Sequence, residues 1–240
     1  MTTTTKNRLS LGDDNGNAHA HDFPSKQERS VTVQAPKFRT AVFQIKGTAP
    51  LVQHRFSSKT KEQMKQKMET GKAASSKKTR EAKLTDDQFH EARYIAREGW
   101  DGMVAGSVRN AMINACRLVG IKMTLAKMSI FVIQDGWDAK EPQIPLIRIW
   151  GNPDKQEIRT ALKQEDLARV ETGQPYVTVR AAYHDWSMKI AIRWDEDQFT
   201  LQDISNLLMR VGQQVGFGEG RPFSKNSCGM GWGTFEIVNK

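Results

Sequence analysis

The residue types best suited to binding chemistry lie between residues 215 and 238. Six glycines there interleave with Phe217, Phe223 and Trp232 and with the cations Arg221 and Lys225. Glycine lets backbone N–H groups approach an anion with no Cβ in the way, and consecutive N–H groups can form an anion-binding nest. Cations beside such a loop supply charge, and aromatic rings offer stacking surfaces, a combination that suits a nucleic-acid backbone lying across the loop. The expected contacts are Gly218, Gly220, Arg221, Phe223 and Lys225, with Phe217 as a further stacking candidate. Trp232 and Phe235 alternate with a terminal strand and are assigned to the core. Two nucleotide motifs are excluded. Residues 216–220 are one residue short of the dinucleotide fingerprint and precede a strand, and no Gly-Lys-Ser/Thr is present for a phosphate-binding P-loop.

A second concentration is electrostatic. The 240 residues carry a formal net charge of +9. Residues 55–83 hold ten basic and three acidic side chains, which is seven of the nine net positive charges. Such an excess points to a polyanionic partner. Arg55, Lys59, Lys61, Lys65, Lys67, Lys77, Lys78 and Arg80 are therefore expected to contact nucleic acid, with a solvated helical face as the bland alternative. His54 is the one weak candidate for catalysis, since an imidazole titrates near neutrality and can act as a general base on a ribose hydroxyl. His19 and His21 sit in a polar tail and read as solvated. Cys116 and Cys228 lack metal-ligand spacing, so neither metal nor cofactor is expected and the thiols are expected to be reduced. No apolar run has the length of a signal sequence or a membrane span, which leads to the expectation of a soluble, cytoplasmic protein in a prokaryotic or phage-infected cell.

These groups need elements to hold them. Residues 1–36 are polar and are expected to form a flexible arm. The domain is expected over 37–240, with 57–84 as a mobile lysine-rich insertion. A mostly buried strand is expected over 38–46 and a short helix over 85–97, capped by Thr85. The clearest helix starts at Ser107 as its cap. Val108, Ala111, Met112, Ala115, Leu118 and Val119 form its apolar stripe, and Gly120 stops it. Asn110, Asn114 and Arg117 share another face. Arg109 opposes the helix dipole and needs a specific partner or water. Ser107, Arg109 and Asn110 complete the expected binding residues.

Strands are expected over 128–134 and 144–150, a helix over 154–169, and a hairpin from 176 to 194 turning at His184 and Asp185. One face of its second strand is apolar and the other basic. Thr200 and Asp203 form a variant of the capping box, and Leu201, Ile204, Leu207, Leu208 and Val211 give the stripe of the next helix. A strand over 234–238 closes the chain. The order is β-α-β-β-α-β, which predicts an α+β protein with a ferredoxin-like (RRM-like) core, a basic insertion and additional hairpins.

Residues 215–237 resemble the C-terminal glycine-rich loop of the RAMP superfamily, the CRISPR-associated RNA-binding proteins. Residues 102–112 are similar to the start of the first helix in backbone subunits of CRISPR effector complexes. The resemblance implies a ferredoxin-like fold, subunits that polymerise along single-stranded RNA, and an inserted element that spaces the bound bases. Residues 48–55 contain no Asp like the one that target-cutting members carry after the first strand. His54 stands where a related branch of guide-processing endoribonucleases uses a histidine. The leading expectation is a non-enzymatic single-stranded nucleic-acid-binding protein, on RNA first and ssDNA second, that forms a homo-oligomeric filament along its ligand. The alternatives are a metal-independent endoribonuclease using His54 and a structural assembly protein.

Overall fold

The computed structural model describes residues 33–70, 85–169, 175–224 and 229–238. Nearly all of the expected arm, residues 71–84 of the basic stretch, and Lys225 lie outside the described residues. The chain divides into two compact units, Met1–Ala35 and Pro36–Lys240, and the second holds every element named below.

In chain order the elements are β1 (Phe38–Gly47), β2 (Leu51–Gln53), α1 (Ser58–Thr70), α2 (Thr85–Ala92), β3 (Gly102–Val104) and α3 (Ala105–Leu118). Next come α4 (Met123–Ser129), β4 (Ile130–Ile133), β5 (Gly136–Trp137), β6 (Pro145–Arg148), β7 (Leu162–Arg169) and β8 (Pro175–Tyr183). The last are β9 (Ser187–Asp195), α5 (Leu201–Arg210), a π turn (Val211–Val215) and β10 (Phe235–Ile237). The fold is α+β and its described sheets are antiparallel. The central sheet has the order β10-β1-β9-β4, and two three-stranded sheets have the orders β2-β8-β7 and β3-β6-β5.

One face of the central sheet makes the core. Phe43 and Ile45 of β1, Ile130 of β4, Met188, Ile190, Ile192 and Trp194 of β9 and Phe235 of β10 are buried in one cluster. Val108, Met112 and Ala115 of α3 and Ile204 and Leu208 of α5 belong to the same cluster. Each fully buried aliphatic side chain contributes about 1.5–3 kcal/mol before entropy is charged against it. The other face of β1 is open, with Val42 64% exposed. A strand expected to be mostly buried is thus buried on one face only, because antiparallel sheets can leave the second face in solvent.

Three helices, α2, α3 and α4, depart in part from their sequence signals. α3 buries Val108, Ala111, Met112 and Ala115 of the expected stripe, whereas Leu118 and the C-cap Val119 are exposed, and it ends before Gly120, whose φ of +74° few side chains adopt. Its N-cap is Val104 with no side-chain cap, so Ser107 lies inside the first turn and is not the cap. The expected helix over 85–97 stops at Ala92, and Ile95 and Ala96 instead bridge to Asp101 and Asp138. α4 occupies the start of the expected strand over 128–134. α5 carries the capping box: Asp203 N donates to Thr200 Oγ1 at 3.1 Å, and Thr200 N donates to Asp203 Oδ2 at 2.9 Å.

Two topological expectations are corrected. The expected helix over 154–169 is turns followed by strand β7, paired with β8 from Leu162↔Ala182 to Arg169↔Pro175. Ladder bonds to β8 override its helix-forming composition. β8 and β9 do not form a hairpin with each other. β8 pairs with β2 and β7, while β9 pairs with β1 and β4. Asp185, at φ 49°, turns the chain from one sheet into the other. Trp186 follows it, fully buried, with Nε1 donating to Ala49 O at 2.7 Å. Among the described residues no helix is long and apolar enough to cross a membrane.

Candidate nucleic-acid interface

Three segments distant in sequence meet at one cleft of about 410 Å³. The end of β2 brings Gln53, His54 and Phe56; the first turns of α3 bring Ser107, Asn110 and Asn114; the loop after the π turn brings Gly216, Gly218, Glu219 and Arg221. Tyr94 and Met103 also line it. Helical spacing explains the α3 contribution, since positions 107, 110 and 114 recur at three and four residues and so share one face.

The glycine loop is tied to the body through Phe217. This side chain is 1% exposed and stacks on Phe235 with centroids 4.8 Å apart, beside Trp186. Phe217 N donates to Gly233 O at 2.9 Å, Glu219 N to Val52 O at 2.8 Å, and Gly233 N to Pro50 O at 2.8 Å. Gly218 has φ +70°, and a Cβ there would stand 2.3 Å from Val52 O. Its glycine is therefore required by the protein's own packing, whatever approaches from outside. Among the described residues the amides of Gly218 and Gly220 donate to no backbone acceptor. Arg221 folds back over this turn, with Nη1 donating to Gly218 O at 2.8 Å.

A charged chain runs behind the loop. His54 Nδ1 lies 3.6 Å from Glu219 Oε2, and Glu219 pairs in turn with Arg180, Nε to Oε2 at 3.0 Å. Arg180 also pairs with Asp166 at 2.7 Å. Burial works against the Arg180 charge, but the hydrogen bond with Glu219 and then the contacts to Asp166 outweigh it and raise its pKa. Asp166 ties β7 to β8, and Glu219 fastens that pair to the glycine loop.

The cleft gathers His54, Ser107, Asn110, Gly218 and Arg221 of the expected residues. Gly220 adjoins it, packed against the Trp232 ring, and Phe223 is 40% exposed nearby in the chain. Phe217 is not a stacking surface, because the core holds it. Arg55 is corrected: its side chain is 4% exposed and donates to both Asp138 oxygens at 2.9 Å and to Glu141 at 2.7 Å, with its guanidinium over the Tyr94 ring. A buried, fully paired guanidinium has nothing left for a phosphate. Arg109 is corrected too. Its Nε donates to Ile130 O at 2.8 Å and its Nη2 to Lys127 O, with the guanidinium over Phe131, so it ties α3 to α4 and β4. This supplies the specific partner that a cation at a helix start requires.

Of the lysines, Lys61 pairs with Glu141 and Lys65 is exposed on α1. Lys59 and Lys67 are on the same helix. Lys77, Lys78, Arg80 and Lys225 lie outside the described residues. Lining residues missing from the sequence expectation include Gln53, Phe56, Tyr94 and Asn114. Asn114 had a readable signal, since it shares a helical face with Asn110. Phe56 had a weaker one, an aromatic at the edge of the basic stretch, and it is 64% exposed. Cys116 is buried in α3, and burial pushes its thiol pKa up.

No protein-family model matches the chain, and no curated protein matches it.

Proposed function

We propose that this protein binds single-stranded nucleic acid in the cleft, with RNA as the first ligand to test, and assembles as a homo-oligomeric filament along it. The observation that carries the reading is the convergence of Ser107, Asn110, Gly218 and Arg221 with the exposed Phe56 on one concave surface. The start of α3, which has no side-chain cap from Val104, brings helical N-terminal N–H groups to the same place, a setting that favours an anion. We further propose a ferredoxin-like core of the RAMP type. The succession β1, α3, β4, β9, α5, β10 and the sheet order β10-β1-β9-β4 support it.

The test is a titration of the purified full chain with labelled single-stranded RNA and DNA at several salt concentrations. Binding that weakens steeply as salt rises is expected, because phosphate contacts release counterions. Binding with no salt dependence overturns the reading. Ready oligomers that copurify with no nucleic acid favour a structural assembly protein instead.

A second reading rests on the placement of His54 Nδ1 beside Glu219, which orients the imidazole at the cleft edge. Cleavage of hairpin RNA in EDTA that His54→Ala abolishes is the result expected of a metal-independent endoribonuclease. Intact RNA under those conditions rules it out.

A further inference from the structure

The lining of the cleft is poor in cations for a groove that only follows phosphates. Arg221 and the titratable His54 are the basic side chains at it among the described residues, and Glu219 contributes a carboxylate. The walls carry neutral hydrogen-bonding groups instead. Ser107, Asn110 and Asn114 come from one face of α3, and Gln53 comes from the end of β2. Gln53 is 3% exposed. Its Nε2 donates to Gly102 O at 3.0 Å and lies 3.4 Å from Met103 Sδ, which fixes the amide. Among the described residues its buried Oε1 has no hydrogen-bond partner. A buried acceptor without a donor is costly, and such groups in native proteins call for an explanation. Phe56 supplies an exposed flat apolar surface at the same cleft.

We propose that the cleft receives one unstacked nucleotide of the bound strand. The base rests against Phe56, and Asn110, Asn114 and Gln53 read the N–H and O–H groups of the nucleotide, while the neighbouring phosphates pass outside by Arg221. Amide side chains offer both donors and acceptors, as the edges of a splayed-out base and the ribose 2′-hydroxyl require. The donor for Gln53 Oε1 comes from the base or from the 2′-hydroxyl. This inference rests on the nucleic-acid reading above.

The test uses the full chain and fluorescence anisotropy with three labelled strands of about twenty nucleotides: RNA, the same RNA backbone without bases, and DNA of the same sequence. The base-bearing RNA is expected to bind about tenfold or more tightly than the abasic strand, the range that base–aromatic stacking supplies. Phe56→Ala and Asn110→Ala, both at exposed positions, are expected to shrink that gap and leave the salt slope unchanged. Preference for RNA over DNA assigns the donor to the ribose hydroxyl, and parity assigns it to the base. Equal affinity for the base-bearing and abasic strands overturns the inference while salt-dependent binding keeps the nucleic-acid reading. So does a gap that neither variant reduces. Absence of salt-dependent binding to any of the strands overturns both.

Discussion

The carbonyl oxygen of Phe217 stands 1.9 Å from the position that a Cβ on Gly233 would take. Gly233 also has φ +67°, so a side chain there meets a backbone clash and an unfavourable conformation together. Gly233→Ala is expected to lower the unfolding free energy by about 3 kcal/mol or more, read from urea denaturation. Gly120→Ala is the control. Gly120 has a similar φ but nothing near its Cβ position, so about 1 kcal/mol is expected. Equal losses at the two sites sink the packing argument.

Arg55 and Arg221 are expected to separate stability from binding. Arg55→Ala leaves the buried Asp138 carboxylate without its ion-pair partner, held by the backbone amides of Lys140 and Glu141, at a cost of about 3 kcal/mol, and leaves the salt slope of nucleic-acid binding as it was. Arg221→Ala should cost little stability and make that slope shallower by about 0.7. Chemical denaturation and salt titrations of both variants check the pair, and a changed slope for a folded Arg55 variant contradicts it.

Glu141 gives a pH signature. The hydrogen bond from Lys61, then that from Arg55, holds its carboxyl below the ordinary 4.5. Its contribution to stability is therefore full above that value and is lost as pH falls through the lower native value. The stability gap between wild type and Glu141→Gln should stay constant above pH 4.5 and close below it. Denaturation curves across the acid range measure this, and a gap that widens on acidification is the contrary result.

Thr200→Ala removes the side-chain half of the α5 capping box, and a loss of about 1 kcal/mol is expected in denaturation. Thr200→Ser keeps the acceptor and should recover most of it.

What the sequence made legible was local. The Thr200–Asp203 box, the first part of the α3 stripe from Val108 to Ala115 and the stop before Gly120 are decided by neighbours in the chain, and the structure carries them. The pairing of strands is decided at long range. β8 and β9 read as a hairpin because a turn-forming pair lies between them, and no local signal tells that each finds partners elsewhere. The same limit applies at the site. The glycine loop and the α3 start were visible as candidates, but Arg55 looked like its basic neighbours because its partners Asp138 and Glu141 are more than eighty residues away. Gln53 gave no signal, since an unpaired acceptor exists only once the chain is folded.

The passage from β8 to β9 takes three residues, 184–186, and the last of them is Trp186. Its ring contacts Phe217 and Phe235, and a Cβ on Gly47 would collide with its Nε1 at 2.2 Å. Close-packed interiors pass displacement on and do not absorb it. A displacement of the β7–β8 pair therefore has a rigid lever to the glycine loop through this indole, in parallel with the Arg180–Glu219 pair.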